Sequence, residues 1–181
     1  SGKVIVENNT IDNAVSRLAD GGGIYLWGGP IGSPLIRNNT VTNTLGNIEG
    51  SAYRSKIAAG IYLDGNASIP VNFRVENNTV SASPYGVLVH SGYSNSIRGN
   101  DVSRTTQGLK IAYDAAFDKS SRDTRFDNLV FGNRFSSTRS TELPQSSIYN
   151  TSVSPIDDFG TFNNNSYCHE IGGQTVYQRD T

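Results

Sequence analysis

At 181 residues, with 15 Lys and Arg against 16 Asp and Glu and a net charge of −1, the chain has the length of one domain and can bury a sizeable core. No basic run supplies the footprint that nucleic acid requires, and no apolar run approaches the length of a membrane span, so neither is an expected partner. Gly, Asn, Ser and Thr abound, but the apolar residues recur at regular places, which a disordered chain does not need.

The chain opens directly on a repeat. Ser1 to Val6 leads into the first copy of an apolar-x-x-Asn-x-apolar pattern with no visible cap, so missing upstream coils or a partner chain are expected to cover the start. The pattern recurs as Val6/Asn9/Ile11, Ile36/Asn39/Val41, Val75/Asn78/Val80, Ile97/Asn100/Val102, Val130/Asn133/Phe135 and Phe162/Asn165/Tyr167. The plainest copy, Arg74 to Gly99, sets the ruler: Asn78 to Asn100 and Gly86 to Gly108 are both 22 residues. A period of this size with β-branched residues and Gly/Asn turns marks a solenoid. The repeat length and crossover handedness together imply an all-β fold, a right-handed parallel β-helix of about six coils. The turn Asn should stack one strand spacing apart, about 4.8 Å, as a hydrogen-bonded ladder. The triplets Asn8-Asn9-Thr10, Asn38-Asn39-Thr40 and Asn77-Asn78-Thr79 also match glycan acceptors, although Asn in such turns is explained by its tolerance of left-handed backbone.

A second strand follows each early turn: Gly23 to Trp27, Gly60 to Asp64, Gly86 to His90 and Gly108 to Ala112. Its aliphatic second and fourth positions face inward, so the third and fifth face outward. One outward row is Tyr25, Tyr62, Leu88, Lys110, and the other is Trp27, Asp64, His90, Ala112. From the turn Asn to the strand Gly, the first coil takes 14 residues and the second 21, against 8 in the ruler coil. The excesses, Ala14 to Gly22 and Leu45 to Ala58, are expected to form one wall beside the outward rows, and Tyr113 to Arg125 the opposite wall of a groove. The repeat lapses into an irregular insertion over residues 136–161. Residues 168–181 are expected to be a C-terminal cap or tail of the single domain 1–181, with a closing strand at Thr175 to Tyr177. Cys168 is the only Cys, so it makes no internal disulfide, and it is expected as a small buried residue beside Tyr167.

The outward rows carry the candidate chemistry. Tyr25, Trp27 and Tyr62 either present flat faces to sugar rings or form a surface cluster with Leu18 and Ile57. Tyr93 and Tyr113 are further candidates for substrate contact. Asp64 and His90 occupy equivalent places in adjacent coils and can hydrogen-bond, either as a general acid–base pair or as an ion pair on a solvated face. Tyr62 and Lys110 are near enough to join them. Removing a proton beside a uronate carboxylate would use His90 or Lys110 as base and Tyr62 as acid. Arg54, Lys56 or Arg122 would pair the carboxylate. No cofactor is required. Calcium could assist through Asp64, Asp114 and Asp118, whose spacing forms no recognised loop.

The sequence Asp20-Gly21-Gly22-Gly23-Ile24-Tyr25, then Gly60-Ile61-Tyr62-Leu63-Asp64-Gly65, then Gly86-Val87-Leu88-Val89-His90-Ser91-Gly92, separated by Asn-Asn-Thr turns, resembles the pectate-lyase-like superfamily of β-helical carbohydrate-active proteins. Over Val6 to Val102 it looks most like the β-helical glycoside hydrolases that include fucosidases and xylanases. The resemblance implies two catalytic carboxyl groups, by motif Asp20 and Asp64. For Asp20 to reach Asp64, the Gly21-Gly22 pair has to fold it back. The expected function is an extracellular polysaccharide-degrading enzyme, hydrolase or lyase, that binds an extended polysaccharide or oligosaccharide. The alternatives are a non-catalytic glycan-binding segment of a phage tailspike or adhesin, and a uronate epimerase. Secretion, a cell surface or a virion surface is the expected location.

Overall fold

The computed structural model describes residues 3–27, 32–52, 55–64, 72–90, 94–113, 127–150, 160–170 and 176–180. Each coil starts with a short strand: β1 (Ile5–Glu7), β4 (Leu35–Arg37), β7 (Arg74–Glu76), β9 (Ser96–Arg98), β11 (Asn128–Phe131) and β14 (Gly160–Asn163) stack in parallel. Their register aligns Val6, Ile36, Val75, Ile97, Val130 and Phe162, the first apolar residue of each repeat. Past the turn, β2 (Thr10–Asp12), β5 (Thr40–Thr42), the first part of β8 (Thr79–His90), the first part of β10 (Asp101–Tyr113), β12 (Arg134–Ser137) and β15 (Ser166–His169) stack likewise. Here Ile11, Val41, Val80, Val102, Phe135 and Tyr167 align. These two columns are the inner walls of the parallel β-helix that the repeat predicts. They enclose a continuous aliphatic core that includes the fully buried Phe73 and Phe135.

The turn between the two columns explains the Asn-Asn pair. Asn8, Asn38, Asn77, Gly99, Gly132 and Asn164 all have φ between 53° and 64°, a left-handed conformation that costs most L residues roughly 1–2 kcal/mol and is tolerated by Gly and Asn. This backbone demand accounts for the first Asn of each would-be glycan triplet. The second Asn forms the ladder. Nδ2 of Asn9, Asn39, Asn78, Asn100 and Asn133 each donates to Oδ1 of the next coil's Asn at 2.9–3.0 Å. The same Oδ1 also accepts the previous Asn's backbone N–H. A second amide proton reaches the carbonyl of the preceding coil's first strand, as from Asn78 to Ile36 and from Asn100 to Val75. Four of these Asn side chains are buried with their polar groups satisfied, the condition under which a polar column can sit inside a core.

The third column is the longest: β3 (Asp20–Trp27), β6 (Ile57–Asp64), the later parts of β8 and β10, β13 (Leu143–Asn150) and β16 (Val176–Asp180). Three expectations change. Asp20 to Gly22 and Ile57 to Ala58 pair as strand rather than loop, which shortens both insertions. The stretch 136–161 contains a strand, β13, paired with β10 across a register shift between Gln107 and Leu109, and Val176–Asp180 pairs with it as the expected closing strand. Cys168 is exposed, because Tyr167 takes the inward place on β15, stacked on Phe135 with centroids 5.2 Å apart, and alternation sends its neighbour out.

The ladder makes a direct prediction. Asn78→Ala removes the acceptor for the buried N–H and amide of Asn39 and the donor to Ile36. With each stranded buried group costing about 1–3 kcal/mol, we expect a loss of about 3 kcal/mol or more, read as a lower denaturant midpoint at unchanged slope.

Candidate functional site

A glycine bend shapes the outward face of the third column. A Cβ added at Gly23, Gly60 or Gly86 would strike Val41, Val80 or Val102 respectively, so these glycines point into the core. The residues that follow, Ile24, Ile61 and Val87, are buried there too. Two successive inward positions break the alternation, and the strand folds around its outer side. The outward residues before the bend (Gly22, Ala59, Tyr85, Gln107) therefore come to face those after it (Tyr25, Tyr62, Leu88, Lys110). Ala59, Tyr62 and Leu88 pack together, flanked by Ile57 and Tyr85.

Both predicted rows hold in register: Tyr25, Tyr62, Leu88, Lys110 and Trp27, Asp64, His90, Ala112. Their exposure differs from that of a flat floor. Tyr62 is only 4% exposed, because the concave face covers it and the Tyr25 ring stands edge-on against it, centroids 5.2 Å apart at 87°. The aromatic surface left to solvent is Tyr25 at 44% and Trp27 at 69%. Tyr62 thus belongs to the packed cluster with Ile57, whereas Leu18 stays exposed outside it.

Asp64 is the centre of the polar site. His90 Nδ1 lies 3.0 Å from Asp64 Oδ1, and the Tyr25 hydroxyl donates to Asp64 Oδ2 at 2.6 Å. Burial alone would raise the Asp64 pKa, but the hydrogen bonds from His90 and Tyr25, with the charge of His90, hold it below the ordinary carboxylate value. Asp20 is moved the other way, raised first by burial and then by the charge of Asp64, with only partial relief from His90. Its Oδ1 is buried without a hydrogen-bond partner. Asp20, Asp64 and His90 therefore lie within one another's electrostatic reach. The Tyr25 hydroxyl is pushed far up by burial and by its bond to Asp64, which keeps it a proton donor in that contact.

A family model described as the right handed beta helix region matches residues 1–177. The chain belongs to the right-handed β-helix family. No curated protein and no solved structure matches it. The expected fold class and handedness therefore hold for this β-helix protein, and its family is one found in polysaccharide-acting enzymes and adhesins.

The remaining candidates of the β-helix protein fall in different places. Lys110 stands one rung beyond His90, in the neighbouring row, with Nζ 5.2 Å from the centre of the Tyr85 ring. Burial lowers its pKa. Lys56 lines a separate cleft with Arg104 and Arg139. Arg54, Tyr93, Arg122, Asp114 and Asp118 lie outside the described residues, as does the side chain of Tyr113 and the expected wall beyond it. Among the described residues no three His, Cys, Asp or Glu side chains gather as metal ligands. The first two insertions lie against each other: Asn47 N–H donates to Leu18 O and Ile57 N–H to Ala19 O, both at 2.7 Å. Between the two insertions is a cavity of about 260 Å³ with Arg17, Asp20 and Glu49 on its lining. Sequence reasoning missed Tyr85 and Gln107. Their signal was their place one residue before the strand glycine.

The opposed shifts of the two carboxyls give a pH prediction with a definite sign. A raised folded-state pKa contributes stability that is present below the unfolded value and lost as pH rises through the folded one. Asp20→Asn should therefore melt higher than the parent near about pH 7, with the gain shrinking toward about pH 3. Asp64, whose pKa is depressed, stabilises above its unfolded value and loses that contribution as pH falls, so Asp64→Asn should melt lower near neutrality. Melting curves of both variants across that range test the pair.

Proposed function

We propose that this β-helix protein hydrolyses an extended glycan lying along the stacked coils, with the reaction centred on Asp20 and Asp64. The observation that carries the reading is the pair of carboxyl groups whose environments push their pKa values apart, the arrangement that glycoside hydrolysis requires of its acid and its ionised partner. Asp20, inclined to keep its proton, gives it to the glycosidic oxygen as the bond to the leaving sugar breaks. Asp64, ionised and oriented by His90 and Tyr25, faces the positive charge that develops on the sugar ring; a water molecule then adds its hydroxyl to that ring carbon, and its proton restores the acid form of Asp20. The exposed faces of Trp27 and Tyr25 stack against pyranose rings and hold the chain in line. Such a protein would work outside the cell or on a cell or virion surface, where polysaccharide is met.

One observation favours a second reaction. Lys110 has its ammonium form disfavoured by burial, which makes its amine a readier base toward the proton next to a uronate carboxylate, as a lyase or an epimerase requires. A panel of neutral and uronate-containing polysaccharides separates the readings. New reducing ends without unsaturated-uronate absorbance are the expected result. Reducing ends with that absorbance would move the chemistry to Lys110 or His90. Binding of the panel with neither signal would make the face an adhesin-like surface. In the hydrolytic case Asp64→Asn should fold and lose about 100-fold or more in turnover. Trp27→Ala should mainly raise KM.

A further inference from the structure

On the side from which β8 and β10 enter the third column lies a second cleft of about 540 Å³. Its lining includes Lys56, Arg104 and Arg139, opposed by one carboxylate, Glu142. In a chain of net charge −1, three cations on one cleft are a local concentration of positive potential. Glu142 offsets one of them, Arg139, and leaves the charges of Lys56 and Arg104. It is buried, shares a 3.1 Å hydrogen bond with Ser137 Oγ and stands 3.9 Å from Arg139 Nε. Among the described residues neither Lys56 nor Arg104 has a side-chain hydrogen bond or ion pair.

The backbone supplies an independent sign. Arg104 has φ 54°, at a corner where the other coils place Asn13, Asn43 and Ala82, each with φ between 55° and 57°. Asn would fit that left-handed position with less strain than Arg. A strained residue that also aims a charge into a cleft points to use of the charge. The cations come from the second, fourth and fifth coils, and each coil adds about 4.8 Å along the axis, so they are strung along the direction in which an extended polymer would lie. Leu45, exposed, and Thr106 add an apolar face and a hydroxyl to the same lining.

We infer that the cleft bearing Lys56, Arg104 and Arg139 is a second binding site, for an acidic polysaccharide whose carboxylate or sulfate groups pair with the two guanidinium forks. The site shares no lining residue with the cavity at Asp20, and it anchors the polymer outside the Asp20–Asp64 pair. The inference rests on the reading of this protein as acting on glycans, and it assigns Lys56 to anchoring rather than to the reacting sugar. Guanidinium groups bind such anions in a two-pronged geometry that ammonium groups cannot reproduce.

The test is binding of the full chain to polygalacturonate, with dextran as the neutral polymer and polyaspartate as an acidic polymer without sugars. Arg104→Asn combined with Arg139→Gln should weaken polygalacturonate binding about tenfold or more, flatten its salt dependence and leave dextran binding unchanged. Asn suits the backbone at position 104, so the variant is expected to fold, and its melting temperature checks that. Arg104→Lys alone should give an intermediate loss. Unchanged polygalacturonate affinity in the double variant overturns the site. Equal affinity of the parent for polyaspartate overturns its assignment to glycans. Cleavage of the polysaccharide panel, measured on the same preparations, separates this from the proposed reaction: a charge-dependent binding loss without any cleavage retains the cleft and rejects the hydrolase, and cleavage without that loss does the reverse.

Discussion

Everything in this structure depends on a buried column of amides. A parallel stack of coils has only strand pairing to align it, and strand pairing by itself permits slippage by two residues with little change in hydrophobic pattern. The Asn column removes that freedom, because an Asn side chain out of step would leave buried donors and acceptors unmatched on two neighbouring coils at once. Coils whose turn Asn are as few as 22 and as many as 39 residues apart meet at the same 2.9–3.0 Å contacts. The column fixes one point per coil and leaves the rest of the circuit free to grow.

The concave face uses that freedom. Its shape comes from glycines that have no room for a side chain, since the core columns of Val41, Val80 and Val102 occupy the space a Cβ would take. Folding the strand there buries Tyr62 and Leu88. The same packing that closes the apolar cluster thus desolvates the carboxyl groups and separates their proton affinities.

How much of this was legible in the sequence differs from feature to feature. The six turn patterns were readable because the ladder needs an Asn at each rung and a left-handed residue before it, which leaves little choice of amino acid. The two outward rows were readable because alternation along Ile24 to Trp27 and its counterparts is regular. The concavity was not, because a glycine in a strand does not say to which side the chain will fold, and Tyr85 and Gln107 sit across the fold from the rows that were read. Strand Leu143–Asn150 was missed because Pro144 and the Ser pair hide any alternation, and it lacks the strand Gly of the earlier coils. Cys168 was misplaced because small size was taken as a sign of burial, whereas the larger Tyr167 already filled the inward place. The cleft of Lys56, Arg104 and Arg139 was invisible as a unit, since its charges are scattered over more than eighty positions and come together only when the coils stack.

Because every coil runs in the same sense, the face they form has a direction. No two-fold axis relates its ends, as one would in an antiparallel sheet closed upon itself. Trp27, Tyr25 and Asp20 lie on the first coil, Asp64 on the second, His90 on the third and Lys110 on the fourth. A polymer with distinguishable ends would therefore meet a different order of groups in each of its two orientations. The parallel stack gives the surface a reading direction without any residue devoted to that purpose.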